Sequence, residues 1–229
     1  MLDQELIKKL EQSSLIEGLK LICTHFPSGV RFSSSLGQED QVLTDAIFKN
    51  DLPIDIFTLD TGRLFNEHYE LLAKNKSLYK KSIQLYFPDA SDVEKYVASK
   101  GINGFYHSVE NRKECCFIRK VKPLERALQG TSVWITGLRK EQSENREHMP
   151  IIEWDEQRKL YKYNPLLHWS YQDVLDYLES HKVPELSLHK EGYISVGCQP
   201  CTRKIFEGEN PRAGRWWWEN SHKECGLHS

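Results

Sequence analysis

The stretch Val30-Arg31-Phe32-Ser33-Ser34-Ser35-Leu36-Gly37 decides the reading of the fold. Val30 to Phe32 read as a short strand that runs into a loop of small, hydroxyl-bearing residues. A helix is expected next, with Val42, Leu43, Ala46 and Ile47 on one face. The same order then recurs. Ile54 to Leu59 read as a buried strand, broken by Asp60-Thr61-Gly62-Arg63 and followed by a helix through Tyr69, Leu71 and Leu72. Ile83 to Phe87 form the third expected strand, with a helix over 91–99. Ser132 to Thr136 form the fourth, preceded by a helix containing Val121, Leu124 and Leu128 that Cys115-Cys116 opens or precedes. Strand–helix alternation of this kind predicts an α/β fold with a parallel sheet and helices on both faces.

The flanks read differently. Leu6, Ile7, Leu10, Leu15, Ile16, Leu19 and Ile22 recur at helical spacing. Ile151 to Trp154 and Leu160 to Tyr163 suggest a hairpin, and Ser170 with Asp173 resembles a capping box before Val174, Leu175 and Leu178. Gly208, Asn210, Pro211 and Gly214 break the pattern, so residues 207–229 are expected to be a mobile C-terminal tail after a domain spanning 1–206.

Of the 229 residues, 39% are hydrophobic and 28% charged, which are ordinary globular values. A net charge of −2 argues against a nucleic-acid binder. No apolar run has the length of a membrane span, and the acidic start lacks a signal-peptide pattern. A cytoplasmic protein is expected, and a homo-oligomer is left open.

Three loops leave the carboxyl ends of expected parallel strands, where ligands bind in such sheets. Ser33-Ser34-Ser35-Leu36-Gly37 offers hydroxyls and backbone amides at a helix start, suited to phosphate or sulfate. An N-capping serine turn is the plainer reading. Asp60 to Arg63 is the second loop; the third is Thr136-Gly137-Leu138-Arg139 with Gln142, Ser143 and Arg146. With Arg63, Arg139 and Arg146 in reach of one rim, the three together favour a nucleotide-sized anion. Neither G-x-x-x-x-G-K-[ST] nor G-x-G-x-x-G occurs.

Four of the six cysteines form two tight pairs, Cys115-Cys116 and Cys198-x-x-Cys201. In a reducing compartment such pairs suggest a metal or cluster site rather than disulfides. A [4Fe–4S] cluster and a structural zinc site both take four thiolates, and the adjacency of Cys115 and Cys116 favours the bulkier cluster. Two unliganded buried pairs are a third reading. Cys23 reads as core. Cys225 lies between Lys223 and His228 near the chain end, where basic neighbours favour the thiolate and Glu224 opposes it. Trp216, Trp217 and Trp218 are candidate anchors by which this tail docks, the alternative being a disordered end.

These motifs resemble the thioredoxin-dependent adenylyl-sulfate and phosphoadenylyl-sulfate reductases over nearly the whole chain: Ser33 to Gly37, Leu59 to Arg63, Glu114-Cys115-Cys116-x-x-x-Lys120, Thr136-Gly137-x-Arg139, Gly197-Cys198-x-x-Cys201 and Glu224-Cys225-Gly226-Leu227-His228. The resemblance implies an adenine nucleotide α-hydrolase-like (PP-loop) fold. It implies that Cys225 attacks the sulfonyl sulfur of the nucleotide, that AMP leaves, and that thioredoxin (or glutaredoxin) releases sulfite from the S-sulfocysteine. By the same resemblance Cys115, Cys116, Cys198 and Cys201 ligate a [4Fe–4S] cluster, a mark of the adenosine 5′-phosphosulfate branch. Lys120 lies between cluster and sulfate. Ser33, Ser34 and Ser35 meet the phosphosulfate or ribose side, Leu59 and Gly137 the adenosine. Arg139, Arg146, Arg212 and Arg215 neutralise the anion, with His228 assisting. Ser34 and Ser35 replace both glycines of the S-G-G-x-D pattern of ATP pyrophosphatases on this fold, which argues against an ATP-splitting ligase. The remaining alternatives are a 3′-phosphorylated or dual substrate, an ATP-dependent adenylating enzyme, and a zinc-stabilised binding module.

Overall fold

In a computed structural model of the chain, residues 2–142, 146 and 148–219 are described. The helical start divides into α1 (Gln4–Gln12) and α2 (Leu15–His25). Ser14 forces the break: its hydroxyl caps the Glu17 amide while the Glu17 carboxylate returns to the Ser14 amide, so two end donors are satisfied reciprocally.

The remaining elements follow the expected alternation. They are β1 (Val30–Ser33), α3 (Gln38–Lys49), β2 (Asp55–Leu59), α4 (Asn66–Tyr79), β3 (Gln84–Tyr86), α5 (Ala90–Lys100), α6 (Val109–Cys116), α7 (Lys122–Ala127), β4 (Val133–Ile135), β5 (Ile152–Asp155), β6 (Leu160–Tyr163) and α8 (Tyr171–His181). The fold is α/β, with a six-stranded sheet in the order β3-β2-β1-β4-β6-β5. Phe32 of β1 lies opposite Ile56 of β2 on one side and Ile135 of β4 on the other, both in parallel register. β6 continues the parallel set, with Tyr163 opposite Ile135. The expected hairpin is present: β5 returns antiparallel beside β6, with Trp154 opposite Tyr161.

The chain packs as two compact units, one formed by Met1–Phe57, Leu71–Gln84 and Gly130–Glu185, the other by Thr58–Glu70, Leu85–Gln129 and Leu186–Ser229. Two features of the first unit set up its loops. From β1 the chain runs outward through β2 and β3, then returns to β4 on the other side of β1. That reversal is a topological switch point, where open α/β sheets form a crevice at the carboxyl ends of the strands. In addition, α3 is buried on nearly every side rather than on the one face its periodicity suggests. Its polar residues are satisfied internally. Gln41 bonds Asn75 and the Pro184 carbonyl, and Asp45 accepts from Tyr79 and Tyr177 and pairs with Lys49. The expected capping box at Ser170 and Asp173 starts α8.

Among the described residues, no helix is long and apolar enough to cross a membrane. Phe32 has no exposed surface at the middle of the sheet. Phe32→Ala should cost about 3–5 kcal/mol, read as a lower urea midpoint with an unchanged slope.

Candidate functional site

In the first unit, the loop after β1 meets the loop after β4 at the switch point. Ser33 Oγ accepts from Trp134 Nε1 at 2.7 Å, and the Ser34 amide donates to the Phe57 carbonyl at 2.7 Å. Ser34 Oγ accepts the Leu36 amide, which supports a left-handed turn at Leu36 with φ 64°. No side chain caps α3 at Gly37. The Ser35 amide and hydroxyl both donate to Asp40 Oδ2, at 2.5 and 2.6 Å. Gly137 abuts the same carboxyl group: a Cβ there would lie 2.2 Å from Asp40 Oδ1. Only glycine permits that approach.

Asp40 was not among the expected site residues, nor was Glu39. The acidic pair directly after the serine loop was the available signal. Burial, outweighing the two Ser35 hydrogen bonds, pushes the Asp40 carboxyl up to about 7. Glu39 engages the expected anion-binding arginine instead: Arg139 Nε lies 3.0 Å from Glu39 Oε1, and Arg139 Nη1 lies 3.1 Å from Glu141 Oε2. Gln142 bridges Glu39 and the Arg139 amide and accepts a hydrogen bond from Arg146. Ser33, Ser34, Ser35, Gly137, Arg139 and Arg146 therefore belong to one unit, with their donors already turned toward carboxylates and amides of the chain.

In the second unit, the cysteine pairs come together. Cys115-Cys116 precedes the helix that carries Leu124, as expected, and also closes a helix of its own, α6. The chain then continues through a π-helical turn, Phe117–Val121, into α7. Such turns accommodate an extra residue without ending the helix and often mark functional positions. Opposite, Cys198 and Cys201 flank a 3₁₀ turn. All four cysteines line one cavity with Phe105, Arg119, Lys120 and Trp216. Cys116, Cys198 and Cys201 are buried, and Cys115 is partly so.

The loop after β2 supports this cavity. Thr61 Oγ1 lies 3.2 Å from Cys198 Sγ, and the Thr61 carbonyl accepts from Arg119 Nη1 at 2.6 Å. Arg63, expected at an anion-binding rim, instead donates to the Ile102 carbonyl and Asn103 side chain, and its carbonyl accepts the Gln199 amide. Leu59 ends β2 in the same unit.

Burial pushes the Cys201 thiol up to about 12 and also raises Cys115, although the charges of Arg119 and Lys120 pull Cys115 down. Buried thiols therefore keep their protons until a cationic centre replaces them. Among the described residues, no group of three or more His, Cys, Asp or Glu donors gathers tightly enough to hold a single metal ion. Four thiols lining one cavity match the four thiolates that an iron–sulfur cluster takes, as they match those of a structural zinc site.

The described part of 207–229 is turn-rich and attached to the cysteines. Thr202 pairs with Arg215, and the Trp216 amide donates to the Cys201 carbonyl. Trp216 is buried, and Trp218 packs against Phe105 and Tyr106. Trp217 remains 41% exposed. Arg215 is buried, with its guanidinium 4.7 Å from the Trp216 ring centre and against Gly197, where a Cβ would meet it at 2.4 Å. The Arg212 amide donates to Asn210. Cys23 is half-buried rather than core. Cys225 and His228, expected as nucleophile and assisting group, lie outside the described residues.

A sheet with a serine loop at its switch point and a unit that buries four thiols together define the class: an α/β protein with a candidate cluster centre. A family model for the phosphoadenosine phosphosulfate reductase domain matches residues 29–204. The adenosine 5′-phosphosulfate reductase of Rhizobium meliloti (strain 1021) is 50% identical over 221 residues, 96% of this chain and 83% of that protein. The enzyme of the same name from Allochromatium vinosum is 50% identical over 95% of this chain and 85% of its own. The chain belongs to the phosphoadenosine phosphosulfate reductase domain family. Among solved structures, phosphoadenylyl-sulfate reductase from Candida auris aligns with a TM-score of 0.75 at 28% identity, over 87% of this chain and 97% of that one. An FMN adenylyltransferase from Candida glabrata shares the fold at 19% identity and a TM-score of 0.54.

Asp40 sets a pH test. Its carboxyl holds a proton up to about pH 7 when folded, against 3.8 ordinarily. The folded state thus carries the extra proton between those values, and stability falls as pH rises through that window. Asp40→Asn should flatten the fall, measured as melting temperature from acid to neutral pH. Equal slopes in both proteins would place the carboxyl's proton elsewhere.

Proposed function

We propose that this chain reduces adenosine 5′-phosphosulfate to sulfite and AMP in assimilatory sulfate reduction. The carrying observation is the combination of the buried four-thiol pocket with relatives at 50% identity that bear this enzyme's name. The Cys225 thiolate attacks the sulfonyl sulfur, the sulfur–oxygen bond to the phosphate breaks, and AMP leaves. The sulfonate stays on Cys225 as an S-sulfocysteine. A dithiol partner, thioredoxin or glutaredoxin, then attacks the Cys225 sulfur. Sulfite leaves, a mixed disulfide forms, and the partner's second thiol frees Cys225, so the partner supplies two electrons and ends as its disulfide.

Cys115, Cys116, Cys198 and Cys201 would hold a [4Fe–4S] cluster, which supplies fixed charge and structure rather than an electron path. Lys120, whose charge bears on both Cys115 and Cys201, assists at the sulfate. Ser33, Ser34 and Ser35 receive the phosphosulfate or ribose side, and Leu59 and Gly137 receive the adenosine. Arg139, Arg146, Arg212 and Arg215 balance the anion, and His228 assists the closing arm. Residues 207–229 form the arm that delivers Cys225, and Trp216 and Glu219 pack its base. The site of action is the cytoplasm.

One observation keeps a second substrate in view: a structural relative at 28% identity is named for the 3′-phosphorylated nucleotide. The relatives at 50% identity weigh against it. Comparing kcat/KM for the two nucleotides should show a preference for adenosine 5′-phosphosulfate, and the reverse preference would assign the other substrate. Cys225→Ser should abolish sulfite formation while nucleotide binding and the visible absorbance of the cluster persist. Undiminished turnover in that variant would dismiss Cys225 as nucleophile. Cys198→Ser should lose the visible absorbance and lower the melting temperature, because cluster binding is coupled to folding.

A further inference from the structure

We propose that Arg112 and Glu219 form a positioning clamp that fixes where the arm carrying Cys225 leaves the cysteine pocket, and so governs sulfonate transfer to that thiol. This rests on the assignment of Cys225 above and adds two residues that no motif pointed to.

Arg112 lies one helical turn before Cys116 on α6, on the same face. Its Nε is 3.0 Å from Glu219 Oε1 and its Nη2 is 2.8 Å from Glu219 Oε2, a bidentate fork. The side chains are 1% and 4% exposed. The same guanidinium lies 4.6 Å from the centre of the Trp216 ring and interacts electrostatically with the Cys116 side chain. The Glu219 amide returns to the Trp216 carbonyl, and the Trp216 amide binds the Cys201 carbonyl. Residues 216–219 are thus fastened to both cysteine pairs, by backbone on one side and by a buried charge pair on the other.

A buried ion pair is a poor device for stability, since apolar residues of similar volume often hold a fold as well. Its fork fixes direction as well as distance. Here it acts within the segment that leads to Cys225. Cys225 is six residues beyond Glu219, a reach of at most about 20 Å for an extended chain. Without the clamp the next fixed point is Trp216, which lengthens the tether to nine residues. Length alone then dilutes the thiol only about twofold. A larger loss would report lost direction at the base of the arm.

The test uses cluster-loaded, full-length wild type, Glu219→Gln and Glu219→Ala. Each is mixed with adenosine 5′-phosphosulfate without reductant, and sulfonated C-terminal peptide is followed in time by mass spectrometry. Iron content, melting temperature and the dissociation constant for AMP are measured on the same samples. We expect iron content and AMP binding to match wild type in Glu219→Gln. Sulfonation should slow by more than the twofold that length allows, and by on the order of tenfold in Glu219→Ala. Wild-type sulfonation rates in both variants would overturn the clamp. So would slowing that merely tracks lost iron or lost AMP binding. If Glu219→Ala does not fold, Glu219→Gln and Arg112→Lys carry the same comparison. Absence of sulfonate from the wild-type peptide would overturn the Cys225 assignment itself, a result distinct from a failure of the clamp.

Discussion

Four thiols lining one cavity, three of them buried and Cys115 partly so, are the constraint on which the second unit is organised. Cys201 would not ionise there unaided, with its thiol pushed up to about 12 by burial. The surroundings therefore bring positive charge and fixed dipoles to the sulfurs. Arg119 is held by the Thr61 carbonyl, Lys120 follows it on the π-helical turn, and the Thr61 hydroxyl touches Cys198. The glycines follow from the same crowding. Gly62 adopts φ 69° beside Arg119, and Gly197 leaves room for the Arg215 guanidinium. Aromatic rings close the cavity, with Phe105 and Trp216 on its lining. Under the proposed function, a bound cluster would exchange the thiol protons of this pocket for metal bonds and couple its occupancy to folding.

The first unit follows a different logic. Its loop donors and arginines face carboxylates of the chain itself. Asp40 holds the Ser35 amide and hydroxyl, and Glu39 holds Arg139 and Gln142. Under the proposed function, a phosphosulfate arriving at the serine loop would compete with these carboxylates for the same donors. The buried position of Asp40, with its raised affinity for a proton, limits the negative charge the nucleotide would meet. Asp40 and Glu39 thus orient the donors of this loop, which on the proposed reading would preorganise them for the nucleotide.

Local signals carried the sequence reading a long way. The strand from Val30, the hairpin pairing Trp154 with Tyr161 and the box at Ser170 rest on periodicity and caps within a few residues, and each is present. The meeting of the two cysteine pairs was legible from their number and spacing. What escaped depends on contacts distant in sequence. Arg112 and Glu219 are 107 residues apart, and Arg139 and Glu39 are 100 apart. No period or motif encodes such partners. The partners of Arg63 escaped for the same reason, since its position after a strand gave no hint of Ile102 and Asn103. The helix that ends in the cysteines, α6, escaped because Val109–Cys116 carries no apolar period.

The most direct measurement is the metal content of protein purified without oxygen, with iron, acid-labile sulfide and zinc determined against chain concentration. The account predicts about four iron and four sulfide per chain and a brown protein. One zinc per chain in a colourless, folded protein would contradict it, because the four thiols would then serve a single ion and the pocket would not be the cluster centre described.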